Sequence, residues 1–181
     1  RFADRRSRTL EDLFPGDADA DGYAWTVATT WSLALDRATQ RNQFAQPMAE
    51  LLALLDRMMG EPPELFQDIA LLKPPLVGRE KPWHQDNAFF NLPAETMVIG
   101  VWIALDEAMI ENGCMHVIPG SQTEGPVIHW RRRDWQICDT DVQTARVVAV
   151  PLRPGSLLFF HGLLHHGTPP SRSAILRSIA C

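Results

Sequence analysis

His84 and Asp86 stand one residue apart in Lys81-Pro82-Trp83-His84-Gln85-Asp86, and far downstream come a histidine pair, His165-His166, and then Arg177. Residues i and i+2 of a β-strand point to the same side, so one short strand can present an imidazole and a carboxylate to one metal ion. A third ligand must then come from elsewhere in the chain. Two histidines and one carboxylate on one face of an ion leave the opposite face open, the arrangement that non-haem Fe(II) chemistry with O₂ requires. An H-x-D pair alone is a weak signal, since a satisfied structural pair gives the same letters. Its company strengthens it.

Arg177 carries a separate signal. It follows His166 across the turn Gly167-Thr168-Pro169-Pro170-Ser171, where the two prolines cannot donate to a strand ladder, so His166 and Arg177 are expected on successive segments. In Ala174-Ile175-Leu176-Arg177-Ser178-Ile179-Ala180 the arginine shares a face with Ile175 and Ile179. A guanidinium on an inward face needs an anionic partner, and a small dicarboxylate would supply one. An exposed edge-strand arginine, or one paired with a protein carboxylate, is the plainer alternative.

The elements that must position these residues are mainly β. From Pro47 to Gly60 the apolar positions Met48, Leu51, Leu52, Leu54, Leu55, Met58 and Met59 recur at helical spacing, with Pro47 suited to a first turn and Gly60 to a stop. This predicts a packing helix. From Leu65 onward short apolar runs are separated by Pro, Gly and Asn, as in Ile69–Leu72, Met97–Leu105, Met115–Ile118, Val147–Val150 and Leu157–Phe160. Met97–Leu105 lacks polar alternation and is expected as a central strand covered on both faces. One domain over 1–181 follows, with a mainly helical lead-in over 1–64 and a jelly-roll or cupin-like β-barrel core over 65–181. Both ends are expected to be trimmed.

Composition narrows the function. The 181 residues are 45% hydrophobic and 22% charged, ordinary values for a soluble globular chain, and no apolar run reaches membrane-spanning length. A net charge of −5 gives no general attraction to nucleic acid, and the basic run Arg131-Arg132-Arg133 is hemmed by Trp130, Asp134 and Trp135. Trp130, Arg131 and Trp135 read as a loop. Cys114, Cys138 and Cys181 have neither disulfide nor zinc-knuckle spacing, so a reducing, cytoplasmic setting is expected. Asp17-Ala18-Asp19-Ala20-Asp21-Gly22 opens like a calcium loop, but Ala28 stands where a bidentate glutamate is required, and a surface turn is the expectation.

From about Leu65 to the C-terminus the chain resembles the phytanoyl-CoA dioxygenase family of Fe(II)- and 2-oxoglutarate-dependent oxygenases. The resemblance rests on Pro82-Trp83-His84-Gln85-Asp86, Trp102-Ile103-Ala104-Leu105, Glu111-Asn112-Gly113-Cys114, Ile118-Pro119-Gly120-Ser121 and the stretch Gly155–Arg177, in that order and spacing. It implies a double-stranded β-helix with His84, Asp86 and His166 as iron ligands, His166 being chosen over His165 and His161. It further implies that Arg177 pairs with the far carboxylate of 2-oxoglutarate, with Thr168 and Trp102 lining that pocket. O₂ would be consumed and a small organic or acyl substrate hydroxylated, with release of succinate and CO₂. Asp86 stands where related halogenases have a small residue, so hydroxylation is expected over chlorination. His116 and His129 fall outside the ligand pattern, as structural or substrate-side residues. A buried, inert thiol is expected at Cys114. Phe89, Phe90 and Asn91 are candidates to line a substrate pocket whose occupant is not legible. Alternatives are a cupin-like metal-dependent hydrolase or isomerase, which would not need Arg177, and a ligand-binding relative without turnover.

Overall fold

The computed structural model describes residues 45–90, 92–93 and 95–181. The turn expected at Asp17–Gly22, the helical lead-in before Ala45 and the pocket candidate Asn91 lie outside the described residues. The chain divides into two compact units, Arg1–Pro63 and Glu64–Cys181.

In the first unit, α1 (Ala45–Met59) begins two residues before Pro47, which therefore occupies the first turn, where its missing N–H has no intrahelical partner to lose. Gly60, at φ 77°, adopts the left-handed conformation that ends the helix, and its N–H donates to the Asp56 carbonyl at 2.8 Å. Leu51, Leu54, Leu55 and Met59 are half-buried. Leu52 and Met58, expected on the same apolar face, are exposed. They lie at the margins of a stripe centred on positions 51, 55 and 59.

The second unit is antiparallel β. Its strands are β1 (Ala70–Lys73), β2 (Lys81–His84), β3 (Ile99–Ala104), β4 (Met115–Val117), β5 (His129–Arg131), β6 (Trp135–Ile137), β7 (Val148–Val150), β8 (Leu157–His161), β9 (His166–Thr168) and β10 (Arg177–Ala180). One sheet has the order β1-β10-β3-β8 and a second β2-β9-β4-β7, with β5 and β6 forming a separate hairpin. Apart from that hairpin, β1 to β4 alternate between the sheets and so do β7 to β10. Eight strands in two four-stranded sheets is the jelly-roll count. No strand pairing joins the two sheets among the described residues, so the expected barrel is a two-sheet sandwich here. Part of the closure is a side-chain contact, from Lys73 of the first sheet to Thr168 of the second.

The core lies between the sheets. Trp102, Phe160 and Ile179 from the first meet Met115 and Val117 from the second, with Cys114 and Ala108 beside them. Burying a side chain such as Ile179 stabilises the fold by about 1.5–3 kcal/mol. β3 is central in its sheet, between β10 and β8, as its apolar run implies. Its two faces differ, however: Trp102 and Ala104 are buried while Val101 and Ile103 are only half-buried. The run is apolar because both faces are at least partly covered.

Strand pairing sets the distance across which two histidines can meet. β2 pairs β9 with His84 opposite His166, and the register shifts between Lys81 and His84. Between His166 and Thr168 lies Gly167, where an added Cβ would come 2.9 Å from the Lys81 carbonyl oxygen and 3.3 Å from the Pro82 carbonyl carbon. Those neighbours are backbone and cannot swing aside. Gly167→Ala should therefore destabilise the protein by about 1–3 kcal/mol, the usual cost of overpacking. Urea unfolding measures this, and an unchanged midpoint would contradict the close approach.

Candidate metal centre

His84 ends β2, and Asp86 opens a short 3-10 turn, Asp86–Phe89. The two residues therefore do not share a strand, as the H-x-D spacing suggested. Gln85 between them is nevertheless extended, at φ −114° and ψ 135°, so the alternation carries on by one residue and both side chains emerge on one side. His166 enters from β9 directly opposite His84. One ligand atom from each of His84, Asp86 and His166 falls within a cluster 4.8 Å across, and no other group of three or more potential metal-ligating side chains forms among the described residues.

The two imidazoles are oriented in the same way. His84 Nδ1 lies 2.7 Å from the Pro82 carbonyl oxygen and His166 Nδ1 lies 2.9 Å from that of Leu164, in each case two residues back along the chain. A carbonyl oxygen only accepts, so Nδ1 carries a proton in both rings and Nε2 is the atom free to bind a metal. Both Nε2 atoms face Asp86 Oδ1, at 3.5 Å from His84 and 3.4 Å from His166. Burial, and then the neighbouring His166, lower the His84 pKa to about 4, so this ring is neutral at pH 7. Burial works against ionisation of Asp86, yet its interactions with His166 and His84 outweigh burial and hold the carboxyl well below the usual carboxylate range. A neutral His84 and the Nε2 atom of His166 thus face a carboxylate. The arrangement needs a cation between them, and a proton on His84 is disfavoured. A divalent metal fits this donor set.

His165 points elsewhere: its backbone N–H donates to Ser121 Oγ at 2.8 Å, and its Nε2 is buried without a partner. His161 is also outside the cluster, its Nδ1 accepting from the Leu163 N–H at 3.0 Å. His129 is structural. Its Nε2 accepts the Gln85 N–H at 2.9 Å while its Nδ1 faces the Val127 carbonyl at 2.9 Å. His116 has a buried Nε2 with no partner, and burial followed by the charge of Lys73 lowers its pKa.

A second polar cluster involves Arg177, which β10 places inside the fold at 3% exposure beside the fully buried Ile179. Ile175, expected on the same face, precedes the strand and is exposed. The guanidinium lies over the Trp102 ring, 5.3 Å from its centroid. Its Nε and Nη1 are buried without a hydrogen-bond partner. Thr168 ends β9 and is half-buried. Its hydroxyl accepts from Lys73 Nζ at 2.8 Å. Buried, unsatisfied guanidinium N–H groups call for an anion, and a carboxylate matches their planar fork. Cys114, fully buried, has its pKa raised by burial and is no nucleophile.

Trp130, Arg131 and Trp135 form a hairpin rather than a loop, with Arg131 paired to Trp135. Trp135 Nε1 donates to the Ala88 carbonyl at 2.9 Å, and Lys81, paired with Asp134, lies over the Phe89 ring. The hairpin thereby braces the turn that carries Asp86. Phe89 in turn packs edge-on against His84, whereas Phe90 packs against Phe66.

Two residues central to this geometry have no motif of their own. Lys73 closes an apolar run and looks like a strand's polar end. Gln85, almost fully buried, donates to the Gly125 and Leu163 carbonyls and accepts from the Val127 N–H, all at 2.8–2.9 Å. It ties the H-x-D segment to two distant loops.

The model of the phytanoyl-CoA dioxygenase (PhyH) family matches residues 3–179, and the chain belongs to that family. Phytanoyl-CoA dioxygenase domain-containing protein 1 of Mus musculus is 33% identical over 131 residues, covering 66% of this chain and 44% of the mouse protein. The Caenorhabditis elegans homolog is 29% identical over 178 residues, covering 87% of this chain and 60% of its own length. The chain thus spans about half the length of these relatives. Among solved structures, EvdO2 from Micromonospora carbonacea var. aurantiaca complexed with 2-oxoglutarate is 31% identical, with a TM-score of 0.56 over 64% of this chain and 49% of that one. These likenesses agree with a jelly roll.

Replacing Gln85 with Leu would leave two partly buried carbonyls and one partly buried N–H without this partner. A loss of about 2–4 kcal/mol is expected in urea unfolding, since each orphaned group costs roughly 1–3 kcal/mol and such losses are not additive. A change below about 0.5 kcal/mol would show that the network does not hold the H-x-D segment.

Proposed function

We propose that this chain carries the site of an Fe(II)- and 2-oxoglutarate-dependent oxygenase that hydroxylates a small organic or acyl substrate. The observation that supports this most strongly is the pairing of two incomplete clusters. His84, Asp86 and His166 bring two imidazoles and one carboxylate together as a donor set, while Arg177 presents buried N–H groups that no protein acceptor takes. A metal ion and a dicarboxylate would complete both. Fe(II), 2-oxoglutarate and O₂ together supply the chemistry: R–H, 2-oxoglutarate and O₂ become R–OH, succinate and CO₂.

The residues divide the work. His84 and His166 offer Nε2 lone pairs, their Nδ1 protons being committed to backbone carbonyls, and Asp86 supplies the charge. Arg177 pairs with the far carboxylate of 2-oxoglutarate, and Trp102 backs the guanidinium so that it cannot swing away. Thr168 offers a hydroxyl to the same carboxylate. Fixing that end would orient the keto acid end toward His84, Asp86 and His166. Phe89 and Phe160 pack against the two imidazoles. Asp86 occupies the position a halide would need, which favours oxygenation over halogenation. In EvdO2, the bound 2-oxoglutarate named for that structure belongs to a protein with nearly a third of its residues in common with this chain over the matched part, which supports the same cosubstrate here.

Replacing His84, Asp86 or His166 with Ala should abolish high-affinity Fe(II) binding in anaerobic titrations, whereas His165→Ala should retain most of it. The reverse pattern for the two adjacent histidines would move the ligand by one residue. Arg177→Ala should weaken 2-oxoglutarate by roughly 2–5 kcal/mol, the usual cost of removing one partner of a buried charge pair, with Fe(II) affinity little changed. Calorimetric titration of the metal-loaded protein decides it, and an unchanged dissociation constant would assign the anchor elsewhere.

A further inference from the structure

Lys73 is the second buried cation beside Arg177. It lies opposite Arg177 in the β1–β10 register and is only 5% exposed. Like charges directly opposite on one sheet face are destabilising. Burial, and then the charge of Arg177, pull the Lys73 ammonium down to about 7. Neither cation has a carboxylate within ion-pair distance among the described residues. Glu80, the one carboxylate among the described residues whose charge acts on Lys73, is paired with Arg133 at 3.0 Å.

The fold nevertheless shapes a lane for this side chain. An added Cβ at Gly78 would collide with Lys73 Cγ, and one at Gly113 would come 2.9 Å from Lys73 Nζ. The lane leads across the sandwich to the end of β9. There Nζ donates to Thr168 Oγ1 at 2.8 Å and to the Pro169 carbonyl oxygen. The protonated Lys73, which an anion beside it would favour, has three N–H donors and no lone pair, so Thr168 Oγ1 can only accept from it. The hydroxyl hydrogen of Thr168 is therefore left for another acceptor.

We propose that Lys73 is a positioning residue of the cosubstrate site: it takes the acceptor side of the Thr168 hydroxyl, so that Thr168 donates to the far carboxylate that Arg177 pairs with. This rests on the 2-oxoglutarate reading above. The dianionic ligand also explains why two cations are buried face to face without a protein acid: the ligand's far carboxylate brings the missing negative charge. Lys73 acts through Thr168 and the local field and does not touch the reacting atoms.

The test compares two keto acids on the Fe(II)-loaded protein under anaerobic conditions. 2-Oxopentanoate keeps the keto acid and chain length of 2-oxoglutarate but ends in a methyl group. Lys73→Met should weaken 2-oxoglutarate by about tenfold or more, the scale of a hydrogen bond to a charged group, while 2-oxopentanoate and Fe(II) binding change by less than about twofold. Thr168→Val should reproduce that selective loss and Thr168→Ser should not. In the Thr168→Val background, Lys73→Met should add less than about threefold, since the two residues act as one unit. Equal loss of both keto acids would make Lys73 a general structural residue and overturn the proposal, as would an unchanged 2-oxoglutarate affinity. Should Lys73→Met fail to fold, the Val and Ser variants of Thr168 decide: a Thr168→Val protein that binds 2-oxoglutarate like the wild type overturns it. Absence of metal-dependent 2-oxoglutarate binding by the wild type would overturn the functional reading as well, whereas wild-type binding with no selective loss overturns the role of Lys73 alone.

Discussion

The close approach of β2 and β9 is the constraint on which the rest of the site depends. Two imidazoles from segments more than eighty residues apart can face one carboxylate only if their strands are paired in one register, with His84 opposite His166. Gly167 permits that pairing, because any side chain there would meet the backbone of Lys81 and Pro82. The same pairing leaves each ring's Nδ1 against a carbonyl two residues earlier, which fixes the tautomer and turns both Nε2 atoms toward Asp86. Backbone geometry thus sets the protonation pattern of the donors.

Around this centre the sandwich holds polar groups in two different ways. Gln85 and His129 satisfy one another and the surrounding loops, so the H-x-D segment is held by hydrogen bonds that are complete within the protein. Such networks rigidify a site. Lys73 and Arg177 are the opposite case: two buried cations with no carboxylate in ion-pair distance among the described residues, and in Arg177 with Nε and Nη1 lacking hydrogen-bond partners. A folded protein retains such groups when a ligand completes them. The satisfied network holds the H-x-D segment, and on the proposed function the unsatisfied one would receive the cosubstrate, the division of labour expected of a preorganised active site.

Much of this was legible in the sequence, for identifiable reasons. The H-x-D pair works because side-chain alternation survives the end of β2 through an extended Gln85, although Asp86 itself lies in a turn. Arg177 showed as a lone cation among apolar neighbours, and its strand is indeed inward-facing at Arg177 and Ile179, while Ile175 lies before the strand. The short apolar runs marked β1, β3, β4, β7 and β8 to within a residue or two. What was not legible depends on long-range partners. Gln85 binds carbonyls 40 and 78 residues away, a pattern that no local spacing encodes. Lys73, placed at the end of an apolar run and before two prolines, looks like any polar strand terminus until the lane past Gly78 and Gly113 is seen. The segment around Arg131–Arg133 read as a loop because its charges mask the pairing of His129 with Ile137 that makes it a hairpin.

The central claim is that His84, Asp86 and His166 together hold one Fe(II) ion through atoms fixed by the β2–β9 pairing. An anaerobic crystal structure of the Fe(II)-loaded protein, with anomalous scattering used to locate the metal, tests it most directly. One ion bound by His84 Nε2, His166 Nε2 and an Asp86 carboxylate oxygen is the expected result. An ion bound through His165, through either Nδ1, or at a site away from these three residues would contradict it.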